Sequence, residues 1–256
     1  MKLTKRNYFS PKANREYMSV SQFKSFERCQ NAALAELTGK YEREESTALL
    51  VGSYVDAYFE GTLEKFKQQN PGIFKRDGTL KAEYIQAEAI IKRMERDKLL
   101  MHYLSGKKQV IMSGEICGVP IKIKIDSLHQ DKIVDLKIMR DFKTVYDEEK
   151  GALPWFEVWG YDLQGAVYQE IVRQNTGKTL PFYLAAATKE KTTDIDIVYM
   201  NPKSLDLAME RFKAKVELFD AIKKGIIEPD RCGKCEYCQA TKVLTQPTDS
   251  EEFYLQ

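Results

Sequence analysis

Hydrophobic and polar positions alternate most strictly at residues 121–126. Ile121, Ile123 and Ile125 fall on one side, and Lys122, Lys124 and Asp126 on the other. That is the period of a half-buried strand. Residues 133–138 form a second run, and His129, Gln130 and Asp131 suit a turn between the two. A turn centred between Gln130 and Asp131 sets Asp126 opposite Asp135. Val134, Leu136 and Ile138 then join the isoleucines on the apolar side, and Lys137 shares the side of the two aspartates. Further strands are predicted at about 108–117, 181–188 and 193–200. Helical spacing covers about 19–37, capped by Ser19 or Ser21, then 47–60, 81–104, 156–174 behind Pro154, and the stretch from Asn201 to Gly225. Asn70-Pro71-Gly72 and Arg76-Asp77-Gly78 mark turns. Residues 1–17 read as a flexible lead-in, 18–242 as one domain and 243–256 as a polar tail. Helices around a central sheet make the chain α/β.

Composition narrows the picture only in part. At 43% hydrophobic, 256 residues can build a real core. A net charge of +2 does not announce a nucleic-acid binder, so any basic surface is local, with Lys107, Lys108, Lys122 and Lys124 as candidates. No run approaches the ~18 apolar residues of a membrane span. The first residues lack the apolar stretch of a signal peptide, so a cytoplasmic protein is expected. Its cysteines are then reduced or metal-bound rather than disulfide-bonded. Cys232, Cys235 and Cys238 have the spacing C-x2-C-x2-C, which suits thiolate ligation of an iron–sulfur cluster or zinc. A fourth ligand is wanted. Cys29, on an expected helix, fits that role better than Cys117, which falls on an expected strand beside a turn.

Three other groups of residues carry candidate chemistry. Opposed residues in an antiparallel pair stand roughly 4.5–5.5 Å apart, and like charges there are destabilising. A divalent cation would turn the Asp126–Asp135 pair into a site, with Lys137 placed to orient or polarise the attacking water. A solvated strand face with Asp–Lys cross-strand pairs is the alternative. Asp56 is the one charge between Ala48 and Phe59, and on an apolar helix it needs a partner. A metal would serve, with Gly52 one turn earlier allowing close approach and Glu60 one turn later; a Lys-paired aspartate at the helix periphery would serve as well. Gln164 and Tyr168 share a helix face with Tyr161. Gly165 and Ala166 would let that helix lie close to the sheet. The stripe suits contact with a base, a phosphate or a catalytic water, and equally an ordinary amphipathic surface.

In this order, Gly52 to Asp56, Ile125-Asp126, Val134-Asp135-Leu136-Lys137 and Gln164-x-x-x-Tyr168 resemble the motif series of PD-(D/E)XK nucleases. Within that superfamily the chain is most similar to the phage-encoded exodeoxyribonuclease VIII (RecE)-like exonucleases, over most of residues 18–242. An early cysteine with a late triplet also resembles the iron–sulfur nucleases of the AddAB helicase–nuclease and of CRISPR adaptation. The resemblance implies a restriction-endonuclease-like central mixed sheet flanked by helices, with N- and C-terminal segments joined by the cysteine cluster. It implies that Asp126 and Asp135 bind Mg2+ or Mn2+, with the carbonyl of Leu136 and with Asp56 as further ligands. Lys137 would assist the attacking water, and Gln164 and Tyr168 would support the site. Cys29, Cys232, Cys235 and Cys238 would hold a structural [4Fe–4S] cluster, with Zn2+ as the alternative. Two departures stand out: many relatives carry histidine where Asp56 stands, and iron–sulfur relatives space their last cysteines more widely.

The activity this implies is a metal-dependent DNA exonuclease (a deoxyribonuclease) acting on duplex ends or single strands. It would supply single strands to a phage annealing protein in recombination. Alternatives are a same-fold nuclease in restriction or CRISPR-type end trimming, and a cluster-bearing DNA-binding protein without catalysis. A homo-oligomer stays open.

Overall fold

The computed structural model of the chain describes residues 1–43, 46–147, 151–244, 246–247 and 249–250. It begins with helices α1 (Pro11–Glu16), α2 (Val20–Arg28), α3 (Gln30–Leu37), α4 (Thr47–Glu60), α5 (Leu63–Gln69), α6 (Ala82–Glu95) and α7 (Lys98–Tyr103). Strands β1 (Lys107–Ile116), β2 (Val119–Leu128) and β3 (Ile133–Met139) follow, then a small hairpin of β4 (Val145–Asp147) and β5 (Gly151–Leu153). Helices α8 (Trp155–Val158) and α9 (Tyr161–Thr176) precede β6 (Phe182–Thr188) and β7 (Ile195–Tyr199). Helices α10 (Pro202–Lys223) and α11 (Glu236–Ala240) close the described chain. The main sheet has the order β1-β2-β3-β6-β7. β3 and β6 run parallel and the other neighbours antiparallel, so the sheet is mixed, as expected.

The sheet is covered on both faces, and this corrects one expectation. Ile121, Ile123 and Ile125 pack with α2, α9 and α10, through residues such as Phe23, Leu163 and Phe212. Val134 and Leu136 pack instead with α4, α6 and α7, through Val55, Ile90 and Leu100, and Ile138 leans on the same cluster. β3 is a central strand, so its alternate residues serve two cores: Ile133 and Met139 one, Val134 and Leu136 the other. One hairpin alternating into water was too simple a picture. Gly165 does let α9 lie close to the sheet, since a Cβ there would come within 2.7 Å of Phe182 and 2.9 Å of Leu205.

Three helices expected to be continuous are broken, each with a local cause. Cys29 has extended backbone (φ −165°, ψ 111°), ending α2, and its sulfur caps α3 by accepting from the Ala32 N–H. Asp97 caps α7 by accepting from the Leu100 N–H, separating it from α6. Gly160 takes a left-handed conformation (φ 61°) between α8 and α9. Helix α5, the β4–β5 hairpin and α11 carry too few apolar residues for periodicity to reveal. Residues 1–17 are not a loose lead-in. Tyr8 and Ala13 are buried, and the Met18 N–H donates to the Pro120 carbonyl while the Lys122 N–H donates to the Met18 carbonyl. Of the expected polar tail, residues 245, 248 and 251–256 lie outside the described chain. No helix among the described residues is long and apolar enough to cross a membrane.

Candidate active site and cysteine centre

β2 and β3 pair through only Ser127↔Val134 and Leu128↔Ile133. The register is the one predicted, and the next pair would be Asp126 and Asp135. The ladder stops there and the strands part, which is what opposed carboxylates favour. In place of a strand carbonyl, the Leu136 N–H donates to Asp126 Oδ2 at 3.0 Å. Gln109, on β1 with φ 53°, donates from Nε2 to Asp126 Oδ1 at 3.2 Å.

Asp135 is 2% exposed. Its Oδ1 accepts from Gln164 Nε2 at 2.7 Å, and its Oδ2 lies 2.5 Å from Lys137 Nζ. Burial pushes its carboxyl up to about 7; Lys137 opposes the rise and Asp126 adds to it. Burial works against the Lys137 ammonium, but the charge of Asp135 outweighs it and lifts that pKa above the ordinary lysine value. The ammonium also sits 4.6 Å from the centre of the Tyr161 ring. Asp56 comes to the same place from α4. Burial raises its carboxyl well above the ordinary range, and the Asp126 charge raises it further.

Asp56, Glu60, Lys108, Gln109, Asp126 and Leu136 line one cleft. At its edge Lys124 Nζ stands 3.7 Å from Glu60 Oε1. The Tyr168 hydroxyl donates to the Lys124 carbonyl at 3.1 Å, tying α9 to β2. The structure thus brings Asp56, Asp126, Asp135, Leu136, Lys137 and Gln164 to one spot, and gives Tyr168 a bracing contact one step away. A Cβ on Gly52 would meet nothing within 4 Å, so no protein packing requires glycine there. Gln109 was missed, because a glutamine inside a β run gives no signal. Lys24 was missed too. It reaches from α2 to donate to the Trp159 carbonyl at 2.9 Å, with its ammonium 5.1 Å from the Tyr161 ring.

The donors at this spot are carboxylate and carbonyl oxygens, the set that Mg2+ or Mn2+ prefers. Burial raises the carboxyls of Asp56 and Asp135 above the ordinary range, with the Asp126 charge adding to the rise; a cation would offset both, so the residues fit a divalent cation.

The second centre joins the two ends of the described chain. The sulfurs of Cys29, Cys232, Cys235 and Cys238 all lie within 4.8 Å of one another, with Cys29 and Cys238 3.5 Å apart. N–H groups are aimed at them: Cys235 N–H donates to Cys232 Sγ at 3.3 Å and Cys238 N–H to Cys235 Sγ at 3.5 Å. The first of these, with the Lys234 N–H, pulls the Cys232 thiol down to about 6, toward the thiolate a metal binds. Cys117 stands apart, exposed in the β1–β2 turn.

Residues 19–241 match the model of a family described as a PDDEXK-like domain of unknown function (DUF3799). Among solved structures, a crystal structure of a protein from Eubacterium rectale described as a “putative exonuclease” is 47% identical. It superposes with a TM-score of 0.95, over 99% of this chain and 98% of that one. No curated protein matches the chain.

Proposed function

This chain belongs to the PDDEXK-like (DUF3799) family, and from that premise we propose that it is a metal-dependent DNA exonuclease. The observation that carries the proposal is the meeting of Asp56, Asp126, Asp135 and Lys137 where β2 and β3 part. The exonuclease description of the similar E. rectale protein supports it. Asp56, Asp126, Asp135 and the Leu136 carbonyl would hold Mg2+ or Mn2+. When bound, such an ion supplies charge to offset the developing negative charge of phosphodiester cleavage and lowers the pKa of water.

The protein's own residues do the rest. Gln164 fixes the Asp135 carboxylate through Oδ1. The Leu136 N–H and Gln109 fix both oxygens of Asp126. Lys137, paired with Asp135, would stand beside the attacking water, placed to orient or polarise it. Tyr161 forms the platform beneath it. The further role we propose is trimming DNA ends to expose single strands for recombination.

The cysteine centre would hold a structural metal. Four thiolates about 2.3 Å from one tetrahedral zinc stand roughly 3.8 Å apart, inside the 4.8 Å limit of this group. A four-iron cluster bonds each thiolate to a different iron and spreads them more widely. The spacing therefore favours Zn2+ over the [4Fe–4S] cluster that the sequence led us to expect.

Incubation of end-labelled linear duplex with Mg2+, beside closed circular DNA of the same sequence, tests the function. Mononucleotide release from the linear DNA alone is expected. Cutting of the circle, or an Asp135→Ala variant as active as the wild type, would overturn the proposal.

A further inference from the structure

The N-terminal segment has a use the catalytic centre does not explain. Residues 1–17 carry Lys2, Lys5, Arg6, Lys12 and Arg15 against one acid, Glu16. In their midst Phe9 is 68% exposed. An exposed phenylalanine on a mobile arm would be unremarkable, but this one is held. Its neighbour Tyr8 is buried and meets it edge-on at 4.9 Å. Lys122, itself 1% exposed, donates from Nζ to the Tyr8 carbonyl and to Asn14 Oδ1, both at 2.6 Å. Ser10 caps the helix that follows, accepting from the Ala13 N–H at 3.2 Å. A buried lysine spent on a backbone carbonyl is an expensive pin, and what it fixes is the placement of Phe9.

That placement is the lip of the cleft. The Phe9 ring lies 5.1 Å from Lys124 Nζ, which stands 3.7 Å from Glu60 Oε1, and Glu60 lines the cleft beside Asp56 and Asp126. A rigid, solvent-facing aromatic ring among cations matches the chemistry of an unpaired nucleic-acid strand. The base stacks on the ring and the phosphates meet the lysines and arginines. In a duplex the base faces are already stacked, so the ring selects a strand with free bases.

We infer that residues 1–17 form a binding platform for single-stranded DNA, with Phe9 stacking on a base beside the cleavage centre. This rests on the nuclease reading and adds the state of the strand it engages. The test uses the full chain carrying Asp126→Asn to prevent cutting, with and without Phe9→Ala or Phe9→Tyr. Affinity for a 20-nucleotide single strand of thymidylate is measured, with 2-aminopurine near one end of a second oligonucleotide.

Loss of one stacked base predicts about tenfold weaker binding for Phe9→Ala and near-normal binding for Phe9→Tyr. The 2-aminopurine fluorescence should be quenched by the Phe9 protein and restored in Phe9→Ala. Lys5→Ala with Arg6→Ala should flatten the slope of log affinity against log salt by roughly 1.4. Equal affinity and equal quenching in Phe9→Ala would overturn the inference while leaving the nuclease reading intact. Failure of the wild-type chain both to bind and to cut any DNA would overturn both.

Discussion

Asp135 lies between a lysine that stabilises its charge and a setting that opposes it. It is almost fully buried and faces Asp126 across the parting strands, and Lys137 and Gln164 compensate. Asp126→Ala, Asp135→Ala and Lys137→Ala should each lower DNA cleavage by about 10²-fold or more, with circular dichroism unchanged. Asp135→Asn should do the same to activity. Adding Mn2+ should raise the melting temperature of the wild type and not of Asp135→Asn; equal shifts in the two would count against the ligand assignment. These residues were legible because the turn around Gln130 sets a register, and the register carried Asp126 to Asp135. Gln109 was not legible, since its part depends on a left-handed backbone that only the folded strand displays.

Among the elements, α9 shows how a sequence feature becomes packing. Gly165 faces Phe182 and Leu205, and the phenylalanine is fully buried and cannot yield. Gly165→Ala should therefore destabilise by about 1 kcal/mol or more despite its better helix propensity, read as a lower melting temperature with Gln164 displaced from Asp135. β2 carries a second test in Lys122, whose ammonium is buried without a carboxylate partner among the described residues and whose pKa burial pushes down to about 8. An unfolded lysine titrates near 10.4. Between those values the unfolded chain binds more protons than the folded one, so stability rises with pH across that window. Lys122→Met should flatten part of that rise in urea titrations at successive pH values; an unchanged slope would show that the ammonium is not held as described. Element boundaries were legible where Pro202 and Gly225 bracket α10, but not at Gly160, whose left-handed turn splits α8 from α9. The break at Cys29 was not legible either, because apolar spacing runs on through Phe23, Phe26 and Ala33.

At the scale of the molecule, α2, α3 and α11 meet at the cysteine centre, and α2 also reaches the active site through Lys24. A metal that binds only the folded chain adds its binding energy to the fold. One zinc per chain and no acid-labile sulfide are expected on elemental analysis. A brown protein with iron and sulfide in equal amounts would move the assignment to a cluster. Cys29→Ser should lose the metal and melt at lower temperature, and Cys117→Ser should do neither. The α/β architecture was legible from the alternation of strand and helix patterns. The two-faced core was not, because which neighbours cover β3 is settled by a parallel partner, β6, more than forty residues on.

Joining Cys29 to Cys238 also sets an order of assembly. The two are 209 residues apart in sequence, so the link between them can form only after the strands and long helices between them have been made. The aspartates of the candidate site, Asp56, Asp126 and Asp135, are all made long before Cys232. A chain interrupted between them would carry all three aspartates yet lack three of the four clustered cysteines. The late cysteines thus close the link between the two ends of the fold only after every aspartate of the candidate site has been made.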